Sequence, residues 1–190
     1  IYTIQNSPVI CVNIVLVSTE TGVGNVLKVV QEHQSDRRNV VIKITSEISI
    51  PDEPHIDAIL EFQQGSKPYP ELKRFLRLYK ENVEKRSLLC YDFRDFFMLI
   101  RGRNVISIVS YEYRENITEA LDQLKSVKTH EGVRYLLYFS VDKCDNDEIG
   151  NRQASIRDFM DAFPCENITY WNIGESSSQI VALFASIPIE

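Results

Sequence analysis

Apolar residues recur along this chain with two different periods, and the order of those periods predicts a layered α/β architecture. Pro8 to Ser18 is apolar and β-branched, which predicts a buried strand. Thr19 to Asn25 interrupts it with Gly22 and Gly24. Val26, Leu27, Val29 and Val30 then open an apolar helical face that runs to His33. Asn39 to Thr45 is a second buried strand, so the opening reads strand, glycine loop, helix, strand: a parallel βαβ unit. Ser46 to Pro54 is a loop, and His55 to Gln64 predicts a helix because Ile56, Ile59, Leu60 and Phe62 fall at helical spacing. Gly65 to Pro70 is the clearest break, since both of its prolines discourage helix there. Glu71 to Arg86 follows as an amphipathic helix of about four turns, with Leu72, Phe75, Leu76, Tyr79 and Val83 on one stripe.

From Asp92 onward the alternation is regular. Phe93 to Ile100 predicts a helix, Asn104 to Tyr113 a strand, Ile117 to Val127 a helix and Gly132 to Val141 a strand. An acidic loop from Asp142 to Gly150 precedes a helix from Ala154 to Phe163, which ends at Pro164. Glu166 to Ile173 and Gln179 to Ile187 are two strands joined as a closing hairpin. The predicted fold is α/β: a partial βαβ lobe over residues 1–70, a bridging helix over 71–86, and an αβαβαββ lobe over 87–190. In that last lobe a four-stranded sheet carries helices mainly on one face.

The 190 residues can form one sizeable core or two small lobes sharing a helix. A net charge of −6 argues against a general nucleic-acid binder, because a duplex binder clusters Lys and Arg to displace counterions. Here Arg37-Arg38, Lys73-Arg74, Lys85-Arg86, Arg101 and Arg103 are scattered among acids, as on a solvated surface. No apolar run approaches the roughly 20 residues of a membrane span. Cys11, Cys90, Cys144 and Cys165 form no C-x-x-C pair, which predicts reduced thiols and a cytoplasmic protein. Asn116-Ile117-Thr118 and Asn167-Ile168-Thr169 match the glycosylation sequon and are expected to be chance matches, the second lying inside a predicted strand.

Candidate chemistry concentrates at two places. Asp92 and Asp95 stand three apart at the mouth of a helix, on one face and beside the positive end of its dipole. They read either as a cap and a dipole partner or as a charged active loop. Thr21, Gly22 and Gly24 stand between a strand and a helix, where backbone N–H groups cradle a phosphate in other proteins. A tight strand-to-helix turn is the plainer reading, and Glu20 would repel a triphosphate unless a metal intervened. No metal site is expected. The acids from Asp142 to Glu148 lack the glycine and closing glutamate of a calcium loop, and His33, His55 and His130 are dispersed. Cys90 has no neighbouring base in the sequence and reads as a small buried hydrophobe.

The run Cys90-Tyr91-Asp92-Phe93-Arg94-Asp95-Phe96, following the helix 71–86, resembles the loop after the central helix of the FtsZ/tubulin family, which reads Asn-x-Asp-Phe-Ala-Asp-Val. Asn104 to Glu112, Thr118-Glu119-Ala120-Leu121 and Tyr135 to Asp142 occupy the places of the family's next strand, helix and strand. Ile173-Gly174-Glu175 and Val181 to Ser186 look similar to its last two strands. The resemblance covers about residues 71 to 190. It implies that Asp92 and Asp95 are the acids that reach a neighbour's nucleotide and position a water, with GTP as ligand and Mg2+ only alongside it. The family's Gly-Gly-Gly-Thr-Gly-Thr-Gly signature is absent, Thr19 to Asn25 being its nearest counterpart, and the motif's Asn is Cys90. The expectation is therefore a subunit-association protein of division or filament type, with a degenerate or incomplete GTP site and no GTPase activity in this chain alone. The alternative is a regulatory domain that binds a nucleotide or small ligand without polymerising.

Overall fold

The computed structural model describes residues 2–7, 10–32, 37–80, 93–113, 116–125, 132–141, 146–163, 168–175 and 179–189. The first elements are β1 (Tyr2–Ser7), β2 (Ile10–Val17), α1 (Glu20–Glu32), β3 (Arg37–Lys43), β4 (Ala58–Phe62) and α2 (Pro68–Tyr79). They are followed by α3 (Phe93–Ile100), β5 (Gly102–Glu112), α4 (Ile117–Lys125) and β6 (Arg134–Val141). The chain closes with α5 (Asn146–Ala162), β7 (Ile168–Glu175) and β8 (Ile180–Pro188). The strands form one eight-stranded sheet in the order β1-β2-β3-β4-β5-β8-β6-β7. β2, β3, β4 and β5 run parallel, whereas β1 and β8 are antiparallel to their neighbours.

Helices cover both faces, and the strand register shows how. Val15, Val41 and Ile59 stand side by side on neighbouring strands and pack on Val23, Val26 and Val30 of α1. Continuing along that face, Leu183 and Leu137 are register partners that pack on Leu121 and Leu124 of α4 and Phe159 of α5. On the opposite face Ile42, Leu60, Ile106 and Phe184 meet Phe75 of α2 and Phe96 of α3. Those three phenyl rings lie with centroids 5.7 to 6.3 Å apart, tilted to one another, an arrangement that adds to simple area burial. Because both faces are covered, inner strands such as Val40-Val41-Ile42 read as continuous apolar runs rather than alternating ones.

The expected α/β class holds, the βαβ opening is present as β2-α1-β3, and the four C-terminal strands share one sheet. Several expectations are corrected. Residues 55–64 are not a helix: Ala58–Phe62 is β4, filling the slot between β3 and β5. Ala58, Ile59 and Leu60 are all buried, two towards one layer and one towards the other, which a short run bounded by Pro54 and Gly65 achieves only as a strand. The closing hairpin is absent too, because β8 pairs with β5 and β6 while β7 pairs with β6. Ile180 to Ser186 are buried without a break, which demands a central position with both faces covered. Around the four C-terminal strands α4 and α5 share one face and α3 lies on the other.

Element ends also moved. Pro68 and Pro70 do not exclude helix but open α2, in a first turn whose N–H groups have no intrahelical partner to lose. α5 begins at Asn146, taking up part of the expected acidic loop. Tyr2–Ser7, for which no strand was expected, is β1.

Candidate functional site

At the carboxyl end of β2 the chain passes directly into helix, and Thr19 controls the entry. The backbone N–H of Gly22 donates to the carbonyl of Thr19 at 2.9 Å and lies 3.1 Å from its Oγ1, a side-chain cap of the first turn. Thr21, Gly22 and Gly24 therefore sit in the first turns of α1, not in an open glycine loop. That corrects the expected form of the turn and changes its chemistry. A phosphate cradle needs N–H groups free to point at the anion, and here the Gly22 donor is already engaged while Glu20 adds negative charge. Beside the turn lies a cavity of about 290 Å³ lined by Leu16, Gly22, Asn25, Val29 and Leu76 among others. Apart from Asn25 its named walls are apolar.

A second cavity, of about 280 Å³, opens between the carboxyl ends of β3 and β4. The segment leaving β3 packs Ile48 and Ile50 on the α1 face, whereas the segment leaving β4 enters α2 on the other face. Where successive connections part to opposite faces, a crevice forms at the strand ends, and open α/β sheets bind ligands there. Its floor is the ion pair of Lys43 Nζ and Glu61 Oε1 at 2.5 Å, with Lys43 only 8% exposed. Thr45, Glu47, Gln63 and Ser66 add polar walls. Pro68 and Pro70 leave the first turn of α2 with few N–H donors, and the N–H of Glu71 is bonded to the carbonyl of Lys67. The crevice suits a polar, uncharged group better than a phosphate. Sequence reasoning missed it because Lys43 and Glu61 become register neighbours only once 58–62 is a strand.

Asp95 belongs to the other end of the sheet. Asp92 lies outside the described residues, and Asp95 is half-buried in the first turn of α3. Phe97 of the same helix lies under the guanidinium of Arg38, near the start of β3, at 5.5 Å. The carbonyl of Met98 accepts from Arg134 Nη1, at the start of β6, at 2.7 Å. α3 is thus held at the amino edge of the sheet, opposite the carboxyl edge that carries Thr21, Gly22 and Gly24. A strand of seven residues such as β3 separates the edges by about 20 Å.

Asn104 anchors this end. Fully buried, it donates Nδ2 to the carbonyls of Ile100 and Arg101 at 2.7 and 3.2 Å, closing the last turn of α3. Its Oδ1 accepts from Arg134 Nη2 at 2.5 Å and from Ser186 Oγ at 3.1 Å, tying α3 to β6 and β8. Burial pulls the Arg134 guanidinium below its ordinary pKa. Among the described residues no group of three His, Cys, Asp or Glu could hold a metal ion, and no helix is long and apolar enough to cross a membrane.

Comparison with solved structures shows that this is the tubulin/FtsZ-like fold. CetZ from Methanosaeta thermophila aligns with a TM-score of 0.56 at 12% identity, over 93% of this chain and 60% of its own. CetZ2 from Haloferax volcanii, solved as a GTPγS-bound protofilament, gives 0.57 at 10% identity over 94% of this chain and 65% of its own. TubZ, of type III plasmid segregation, gives 0.53 at 10% identity over 93% and 64%. The chain thus spans between 60% and 65% of the length of these structures. No protein-family model and no curated protein matches the sequence.

Proposed function

We propose that this chain acts by subunit association, as a cytoplasmic tubulin/FtsZ-like protein of cell-division or filament type with a degenerate GTP site. The observation that supports the reading is the separation of Asp95 from Thr21, Gly22 and Gly24, at opposite edges of one sheet. Thr21, Gly22 and Gly24 cannot act with Asp95 inside one copy, but an end-to-end stack brings the carboxyl edge of one copy against the α3 end of the next. Such a contact is heterologous and propagates into a filament rather than closing as a dimer. On this reading residues 71–86 bridge a partial lobe over 1–70 to a lobe over 87–190. The engaged Gly22 N–H, the acid at Glu20 and the missing glycine-rich signature all weaken the hold on GTP and its Mg2+.

Asp92 and Asp95 then serve the contact, because carboxylates buried against a neighbour need donors or cations opposite them. Sedimentation of the wild type beside the Asp92→Lys/Asp95→Lys variant tests this. Self-association should be abolished with the fold retained, since losing a cap costs about 1 kcal/mol per site. Monomers at high concentration with GTP and Mg2+, or a variant that merely unfolds, would reduce the two carboxylates to caps.

A second reading draws on the crevice between β3 and β4: a regulatory domain binding a small polar ligand or nucleotide without polymerising. A thermal-shift screen run beside light scattering separates the two, because only the first predicts scattering that grows with concentration.

A further inference from the structure

We propose that the cavity between α2 and the open edge of β5 binds a small primary alkylamine, its ammonium held by the unbonded oxygens of Glu71 and Ser66. The proposal is independent of the association reading above. β4 ends opposite Ile106, whose carbonyl accepts from the Gln63 N–H at 3.1 Å, while β5 runs on to Glu112. From Ser107 to Glu112, therefore, no residue of β4 stands beside β5. A cavity of about 300 Å³ lies there, lined by every residue of β5 from Ile106 to Tyr111. Successive strand residues face opposite ways, so such a cavity sits at the edge of the strand and not on one face. Glu71 and Arg74 of α2 form its other wall, and Gln63 and Ser66 divide it from the crevice between β3 and β4.

Two buried oxygens of this lining, Glu71 Oε2 and Ser66 Oγ, have no hydrogen-bond partner. Glu71 is only 9% exposed, and its other oxygen, Oε1, accepts from Arg74 Nη1 at 2.6 Å. An ionised carboxylate only accepts, so Oε2 calls for a donor, and a buried charged group without one is costly. An ammonium brings three donors and no acceptor, which suits a wall of oxygens. Its charge shortens and strengthens the bond to a carboxylate. Arg74 does not already fill that role, because its side chain is 46% exposed and keeps its head towards water. An anion would gain Arg74 but would face Oε2 with no proton to give. Ile106 and Ile108, both buried, supply apolar surface for a short alkyl chain.

Ligand-observed NMR titration of the purified chain at neutral pH with n-butylamine, 1-butanol and butyrate tests the proposal. The amine should bind about tenfold tighter than the alcohol, and butyrate should not bind. Glu71→Gln, which keeps the shape and removes the charge, should weaken the amine by about tenfold, and Ser66→Ala should weaken it less. Arg74→Gln should act in the opposite direction and tighten binding, because it frees Oε1 and removes the competing cation. A misfolded variant cannot give that gain, so the test stands even if Glu71→Gln fails to fold. Equal binding of amine and alcohol, an affinity indifferent to Glu71→Gln in a folded variant, or no gain in Arg74→Gln overturns the proposal. No binding of the amine at all leaves the two oxygens to water and overturns it too. Tighter binding of Nα-acetyl-lysine amide than of butylamine would place the ammonium on a protein chain and overturn the assignment to a small amine.

Discussion

Gly24 lies in the second turn of α1 with nothing within 4 Å of where a β-carbon would stand, whereas at Gly22 that atom would lie 3.3 Å from Thr19 Oγ1. The two glycines, alike in the sequence, therefore answer differently to substitution. Gly24→Ala should stabilise the fold by about 0.5–1 kcal/mol, the helical cost of glycine removed without a clash. At Gly22 the same gain is offset by crowding the capping threonine, so Gly22→Ala should be close to neutral. Urea unfolding of both variants decides it, and a large loss at Gly24 would mean the backbone there serves something other than helix. Asn104 sets the opposite extreme. Asn104→Ala strands Ser186 Oγ, one Arg134 nitrogen and two helix-end carbonyls in a buried place, and should cost about 3 kcal/mol. A midpoint unchanged in urea would show those groups finding other partners.

Elements were legible where one face alone had to be buried. α4 was read nearly to its ends because Ile117, Ala120, Leu121 and Leu124 are its buried stripe and the rest is polar. β4 was not, because Ile56, Ile59, Leu60 and Phe62 fit a helical stripe as well as a short strand buried on both faces, and only neighbours at β3 and β5 decide between them. α2 shows the limit of local rules in another way. Prolines that forbid a helix interior are tolerated in its first turn, and its N-cap Lys67 supplies no side-chain bond. Lys67→Asp should therefore add a cap and a favourable dipole contact, raising stability by about 1 kcal/mol in thermal or urea unfolding. No gain would indicate that the prolines leave too few donors for a cap to matter.

At the scale of the whole molecule, the distance between the two edges governs activity. With Asp95 near one edge and Thr21 at the other, a single copy cannot assemble water, acid and phosphate in one place. Stacked copies would bring the two together, but with no glycine-rich signature and the Gly22 N–H engaged by Thr19 the phosphates lack a cradle, so GTP turnover by the purified chain should stay at background at every protein concentration. Turnover that rises faster than linearly with concentration, and falls when Gly22 or Thr21 is changed, would instead reveal a working site between copies.

The sequence by itself determined the α/β class, most helices, most of the buried strands and the resemblance carried by Asp92 to Asp95, because these follow from the period and order of apolar residues. It could not determine that β8 inserts between β5 and β6, that Lys43 stands beside Glu61, or that Thr19 engages the Gly22 donor. Each of those depends on which residues distant in the chain become neighbours. The tertiary structure decided them because an all-apolar strand must be covered on both faces, and a charge buried with it must find its partner on the adjoining strand.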